Sequence, residues 1–183
     1  TLVAFTSSAT IVINVVDVNE EPALTGGEAS VDELSPKGVK VGAPFQVSDP
    51  DAGDKATFAI TKGNTGSVFA VQAVQDRLGK WGGQIVVDRP SLNFEVTESY
   101  NLELQATDAG GLKSVASVVV TVNDVNDPPT IATLQTLVLP ENTPVGSELP
   151  ATGVMVSVTD EDLDQVSVRI KSGGDGLFKL TPA

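Results

Sequence analysis

Asp124-Val125-Asn126-Asp127-Pro128-Pro129 sets three hard oxygen side chains within four positions and then two prolines. A fainter copy, Asp17-Val18-Asn19-Glu20-Glu21-Pro22, lies 107 positions upstream (124 − 17). That spacing is the length of one small all-β domain, so the chain reads as a tandem array, and a repeat period has to be recognised before any other fold assignment.

The stretches between the two copies alternate with a period of two. Tyr100, Leu102, Leu104 and Ala106 face one way, and Asn101, Glu103, Gln105 and Thr107 face the other. Val118, Val120 and Val122 repeat the pattern just before the second copy. Phe45 and Val47, then Ala56, Phe58 and Ile60, then Phe69, Val71 and Ala73, then Ile85 and Val87, mark four further strands. A first strand is expected near Ser30–Leu34, and a polar loop containing Trp81 from Asp76 to Gly83. Breaker-rich turns at Asp49–Asp54, Gly63–Gly66 and Asp108–Gly111 separate them. Many short strands with no amphipathic helix predict an all-β chain of tandem seven-stranded Greek-key β-sandwich repeats of immunoglobulin-like type.

Ile11, Ile13 and Val15 alternate in the same way ahead of the first copy, which predicts a closing strand there. After the second copy the cycle restarts. Pro140-Glu141-Asn142 stands 108 positions after Asp32-Glu33-Leu34, and Asp160-Glu161-Asp162 stands 111 after Asp49-Pro50-Asp51 (141 − 33 and 160 − 49). The expected division is the end of one repeat in residues 1–19, a complete repeat in 20–127 and the beginning of another in 128–183.

Composition narrows the function. Among 183 residues, 24 are Asp or Glu and 11 are Lys or Arg, a net charge of −13. Such a surface repels the phosphates of nucleic acid and suits cations. There is no His and no Cys, which removes the usual neutral-pH general base, thiolate metal sites and disulfide staples. No run of about 18 apolar residues is present to cross a membrane, and no nucleophile–base pair stands out. The chain reads as a non-enzyme. Asp and Asn at turns ordinarily just cap local backbone; five motifs in order at a fixed period are a stronger signal.

Those motifs are Glu33 (with Glu141 in the next cycle), Asp49-x-Asp51 (with Asp160-x-Asp162), Leu92-Asn93-Phe94-Glu95, Ala106-Thr107-Asp108-Ala109-Gly110 and the linker itself. Together they resemble the cadherin family, whose repeats end in a D-x-N-D-x-P linker. The resemblance implies up to three calcium ions at each complete joint between repeats. At the second joint it implies ligation by Glu33, Glu95, Asp124, Asn126, Asp127, the carbonyls of Val125 and Pro128, and Asp160 and Asp162. At the first it implies Asp17, Asn19, Glu20, Asp49, Asp51 and Asp108, with Glu21 in the same linker also a candidate. Asn93 stands where the family has an acid, so the outermost ion of the second joint is expected to be weaker.

The ligand chemistry agrees. Calcium takes about 6–8 oxygen ligands in tolerant geometry, and soft metals would want the absent Cys or His. The implied role is a calcium-stiffened extracellular rod at a cell surface, meeting another surface protein or copies of itself in adhesion. The alternatives are a structural spacer in an extracellular filament, or an accessory module of a secreted enzyme with Trp81 against polysaccharide.

Overall fold

The computed structural model describes residues 6–51, 55–132, 140–147 and 157–170. Its strands are β1 Ala23–Leu24, β2 Gly27–Asp32, β3 Lys40–Ser48, β4 Thr57–Lys62, β5 Phe69–Gln75, β6 Trp81–Val87, β7 Ser99–Thr107, β8 Lys113–Asn123, β9 Thr130–Ile131 and β10 Val158–Thr159. Two four-stranded sheets, β1-β3-β6-β5 and β2-β8-β7-β4, face each other across the core. Leu102, Leu104, Val118, Val120 and Val122 fill it from one sheet, and Val41, Ile85 and Val87 from the other. The period-two pattern places them, because a strand turns alternate side chains to one face. Edge-on aromatic pairs Phe45–Phe58 and Phe69–Tyr100, with centroids 5.4 and 5.1 Å apart, add to the packing.

The first strand differs from expectation. It is split, and Leu34 is outside it. β1 runs antiparallel to β3, and β2 crosses to the other sheet to run parallel to β8. Gly26 sits at the crossing, where a Cβ would lie 2.1 Å from the Ser117 carbonyl oxygen. No side chain fits there. Leu34 has left-handed backbone, φ 55°, and turns the chain out of β2.

Trp81 is not in a loop but opens β6, paired with Gln75. Gly82 and Gly83, expected at the end of the same loop, are strand residues of β6. A Cβ on Gly82 would meet the Phe45 carbonyl oxygen at 2.3 Å, and one on Gly83 the Phe45 ring at 2.1 Å. Close packing, not backbone bending, requires them.

The strand expected at Ile11–Val15 carries no ladder. Ile11, Ile13 and Val15 are more than four-fifths exposed, and no described strand edge pairs with them. Alternation decides which face of a strand is buried, but a strand also needs a partner.

β9 and β10 form a small ladder, Thr130 opposite Thr159 and Ile131 opposite Val158. Ala23 opposite Ser48 and Leu24 opposite Val47 is the same ladder 107 and 111 positions earlier (130 − 23 and 159 − 48). Asn142, φ 63°, likewise repeats the left-handed turn of Leu34. Ala52-Gly53-Asp54 of the first D-x-D turn lies outside the described residues.

Candidate metal centre

Glu33 organises the second joint. It is 2 % exposed and stands just past the end of β2. Its Oε1 accepts the Val125 N–H at 2.8 Å and its Oε2 accepts the Phe94 N–H at 2.7 Å. Its own N–H donates to the Asn123 carbonyl at 3.0 Å. One carboxylate thus ties the 92–96 turn and the linker to the sandwich. The left-handed turn at Leu34 directs the chain away and leaves the Glu33 side chain beneath the linker.

Around it the acids gather. Carboxylate oxygens of Glu33, Glu95 and Asp124 lie within 4.8 Å of one another, and so do those of Glu95, Asp127 and Glu161. Glu95 belongs to both sets. The Asp127 N–H donates to Asp162 Oδ2, which ties the linker to the second D-x-D turn. Asp160 Oδ1 accepts the Asp164 N–H at 3.0 Å and so shapes that turn.

The first joint has a third set, Asp17, Glu20 and Asp51, also within 4.8 Å. Here the Glu20 N–H donates to Asp51 Oδ2 at 2.9 Å, the counterpart of the Asp127–Asp162 bond. Asp49 Oδ1 accepts the Asp51 N–H at 3.0 Å. Asn19 Nδ2 donates to Asp108 Oδ2 at 2.9 Å, and Asp108 Oδ1 accepts the Leu112 N–H at 2.8 Å.

The electrostatics are those of crowded like charges. The Asp127 carboxyl is raised above its ordinary value by burial first, then by Glu33, Glu161, Asp162 and Asp160. Asp124 is raised by burial and by Asp162 and Glu33. In Glu95 a bond from its own backbone pulls the value down. Burial with Glu33, Asp162 and Asp124 outweighs that pull. Glu20 is raised by burial and by Asp51, Asp17 and Asp49. Asp108 goes the other way: burial would raise it, and the bonds from Asn19, Leu112, Gly111 and Gly110 together lower it. The ion pairs among the described residues, Lys37–Asp88 and Lys62–Glu103, both lie outside the three sets.

Several candidate ligands take other parts. Both amide atoms of Asn93 are in use: Oδ1 accepts the Val96 N–H at 2.8 Å and Nδ2 donates to Glu161 Oε2 at 2.6 Å. Asn126 Nδ2 donates to the Asp127 carbonyl at 3.1 Å. Val125 contributes its N–H to Glu33, while Pro128 and Glu21 are exposed and belong to none of the three sets among the described residues. Glu161 was missed by the motif reading, which counted only the outer positions of D-x-D. Its signal was present: the middle residue is an acid at 161 and a proline at 50.

Trp81 is partly buried against Val47, Ala56 and Ala106, and the Lys55 ammonium stands 5.6 Å from its ring centroid.

A family model for the cadherin domain matches residues 27–123. Mouse cadherin-23 is 30 % identical over 186 residues, covering 96 % of this chain and 5 % of that protein. The Drosophila melanogaster protocadherin-like wing polarity protein stan is 33 % identical over 163 residues, covering 86 % of this chain and 4 % of its own length. The solved structure of protocadherin gamma C5 EC1-3 superposes with a TM-score of 0.51 at 26 % identity, covering 80 % of this chain and 47 % of that one. The chain therefore spans a small part of the curated relatives it matches. Cadherin domains are extracellular structural modules, not enzymes, and this chain belongs to the cadherin family.

Proposed function

We propose that the chain is a segment of a tandem array of seven-stranded Greek-key repeats, stiffened by calcium at its joints and serving as a rod in cell-surface adhesion. Residues 1–19 close one repeat, 20–127 form a complete one and 128–183 begin another. The matching ladders β1–β3 and β9–β10, at matching offsets, support the tandem reading. If the split strand β1/β2 is counted once, the complete sandwich has seven strands.

The observation that carries the calcium reading is the pair of carboxylate sets sharing Glu95 at the second joint. The donor set is oxygen only, as calcium prefers. Its members raise one another's pKa values, so the bare site disfavours its own charges. Glu33, Glu95 and Asp124 would hold one ion, and Glu95, Asp127 and Glu161 a second. Asp17, Glu20 and Asp51 would hold one at the first joint. Calcium supplies the positive charge that turns the repelling hinge into a strut, and Pro128-Pro129 stiffen the exit. Asn93, with its amide committed to the turn, leaves the outermost ion of the second joint weakest. The partner in adhesion is another surface protein or a second copy of the protein.

Isothermal calorimetry with calcium chloride tests the site. Binding in the ~10⁻⁴ to 10⁻³ M range expected of extracellular modules, with the second-joint component removed by Glu95→Gln, is the predicted result. Absence of heat, or an unchanged isotherm in Glu95→Gln, would overturn it.

A further inference from the structure

The edge strands of the two sheets, β1 and β5 in one and β2 and β4 in the other, are not protected alike. β1 is two residues long, and β2 carries Glu28 and Asp32. β4 ends in Lys62, with a bulge between Ile60 and Lys62. Shortness, charge and bulges are the devices that keep a sheet edge from pairing with another chain. β5 has none of them. Phe69-Ala70-Val71-Gln72-Ala73-Val74-Gln75 pairs with β6 residue for residue, and no charged residue stands from Gly63 to Gln75. Among the described residues no strand lies beyond it.

The ladder fixes which backbone groups of β5 point outward. The Val68 carbonyl accepts the Asp88 N–H at 2.7 Å, and the Asp76 N–H donates to the Lys80 carbonyl at 2.9 Å. Bonded and non-bonded pairs alternate along an antiparallel ladder, so Ala70, Gln72 and Val74 bond β6. Phe69, Val71, Ala73 and Gln75 direct their N–H and C=O away from it. At Phe69 a side chain stands in for a neighbouring strand: the Phe69 N–H donates to Asn64 Oδ1 at 3.0 Å, and the Phe69 carbonyl accepts Asn64 Nδ2 at 2.7 Å. Among the described residues Val71, Ala73 and Gln75 have no such partner on that side.

We infer that β5 pairs with β5 of a second copy of the chain, antiparallel across a two-fold axis at Ala73. That register sets Val71 opposite Gln75 and the exposed Ala73 opposite itself. It engages all three outward positions and stops short of Asn64. The flanking pairs are Gln72–Val74, Ala70–Asp76 and Phe69–Arg77, so no charge faces another, which matters for two chains of −13 each. A two-fold contact of this kind is self-complementary and closed. It also brings Leu78, 84 % exposed at the tip of the β5–β6 turn, to the head of the other copy's β5. Asp76 Oδ1 fixes that tip by accepting the N–H groups of Leu78 and Lys80, each at 2.8 Å. The inference gives the second copy in the proposed adhesion a surface, yet it stands without the calcium reading, because no β5 residue belongs to the three carboxylate sets.

The experiment is amide exchange with solvent, followed by NMR on the full chain over a concentration series, once in calcium and once in EGTA. The amides of Val71, Ala73 and Gln75 are expected to exchange at least about twofold more slowly at about 1 mM than at about 50 μM, by mass action. The same change is expected in both buffers, with Ala70, Gln72 and Val74 protected throughout. Ala73→Lys sets two ammonium groups at the axis and is expected to remove the concentration dependence. Should it fail to fold, Ala73→Pro deletes an N–H that makes no ladder bond, a position where an edge strand tolerates proline, and is expected to do the same. Exchange independent of concentration would overturn the inference, whether fast, with the edge unpaired, or slow, with the chain covering its own edge. So would concentration dependence that survives in the Ala73 variants, or one confined to calcium, which would place the contact at the joints.

Discussion

The two joints share a backbone device and differ in what lies beneath it. At each, a linker N–H bonds to the second aspartate of a D-x-D turn, Glu20 to Asp51 and Asp127 to Asp162. Beneath the second joint lies the buried Glu33, which accepts two backbone N–H groups and meets Glu95 and Asp124. The first joint has the Asn19–Asp108 hydrogen bond and one carboxylate set. The linker and the turn that follows it therefore make the common geometry. The extra density of charge comes from the sandwich that precedes the linker, through Glu33 and the 92–96 turn.

The largest effect that would separate the joints is Glu33→Ala. It leaves the part-buried Phe94 and Val125 N–H groups without their acceptor, and a donor left unsatisfied costs about 1–3 kcal/mol. Thermal unfolding followed by circular dichroism should show a midpoint lower by about 10 °C or more, since 1 kcal/mol moves a domain of this size by about 4–8 °C. Order at residues 17–20 should survive at temperatures where the variant is folded. An unchanged midpoint would mean that the glutamate is a metal ligand and nothing more.

Next in size is a pair of charge-neutral changes. Glu95→Gln is expected to lower calcium affinity at the second joint at least tenfold and spare the first. Asp51→Asn should do the reverse. Amide chemical shifts of Asp127 and Glu20, followed through a calcium titration, report each joint separately. Loss at both joints from either change would show that they bind as one unit.

The two joints also part company on acidification in chelator. Raised carboxylates, Glu95, Asp124 and Asp127, bind protons more tightly in the docked joint. Their repulsion is relieved below the ordinary carboxylate range and returns as pH rises through the raised values. The second joint should therefore tighten as pH falls from 7. At the first joint Glu20 has the same sign, but the lowered Asp108 has the opposite one. Its contribution is present above the ordinary aspartate value and is lost as pH falls through the lowered value. In chelator, order at 124–127 should thus rise on acidification while order at 17–20 does not rise with it. A parallel change in both, measured by ¹⁵N relaxation, would contradict this. In calcium the trend reverses at the second joint, because protons compete with the ion.

The smallest effect is expected from Lys62→Ala, which breaks an exposed pair with Glu103 far from either joint. Stability should change by about 0–1 kcal/mol and the calcium midpoint not at all. A shifted midpoint would show that the general charge of the surface, rather than the clustered carboxylates, governs binding.

Strands with one buried face were legible because their alternation is strict. Tyr100 to Thr107 and Val118 to Val122 lie in the strands expected of them, and Phe45 and Val47 lie in β3. What escaped depended on three-dimensional partners. Gly82 and Gly83 fall in the expected Asp76–Gly83 loop because nothing local reveals that Phe45 lies against them. The split of the first strand rests on Gly26 passing the Ser117 carbonyl, a contact 91 positions away in the chain (117 − 26). At the site, the motif acids Glu33, Glu95, Asp124 and Asp127 fall into carboxylate sets. Glu161 was overlooked because a motif records which positions recur, and position 161 matters only where the local residue is an acid. Asn93 shows the converse: it occupies a motif position, yet its amide closes the turn on Val96.

The central claim is that calcium converts the joints from repelling hinges into struts. Small-angle X-ray scattering of the chain, titrated from EGTA to millimolar calcium, tests it most directly. The account predicts a longer maximum dimension and a narrower distance distribution as calcium rises, both abolished by Asp127→Ala. A scattering profile that stays the same from chelator to millimolar calcium would contradict it.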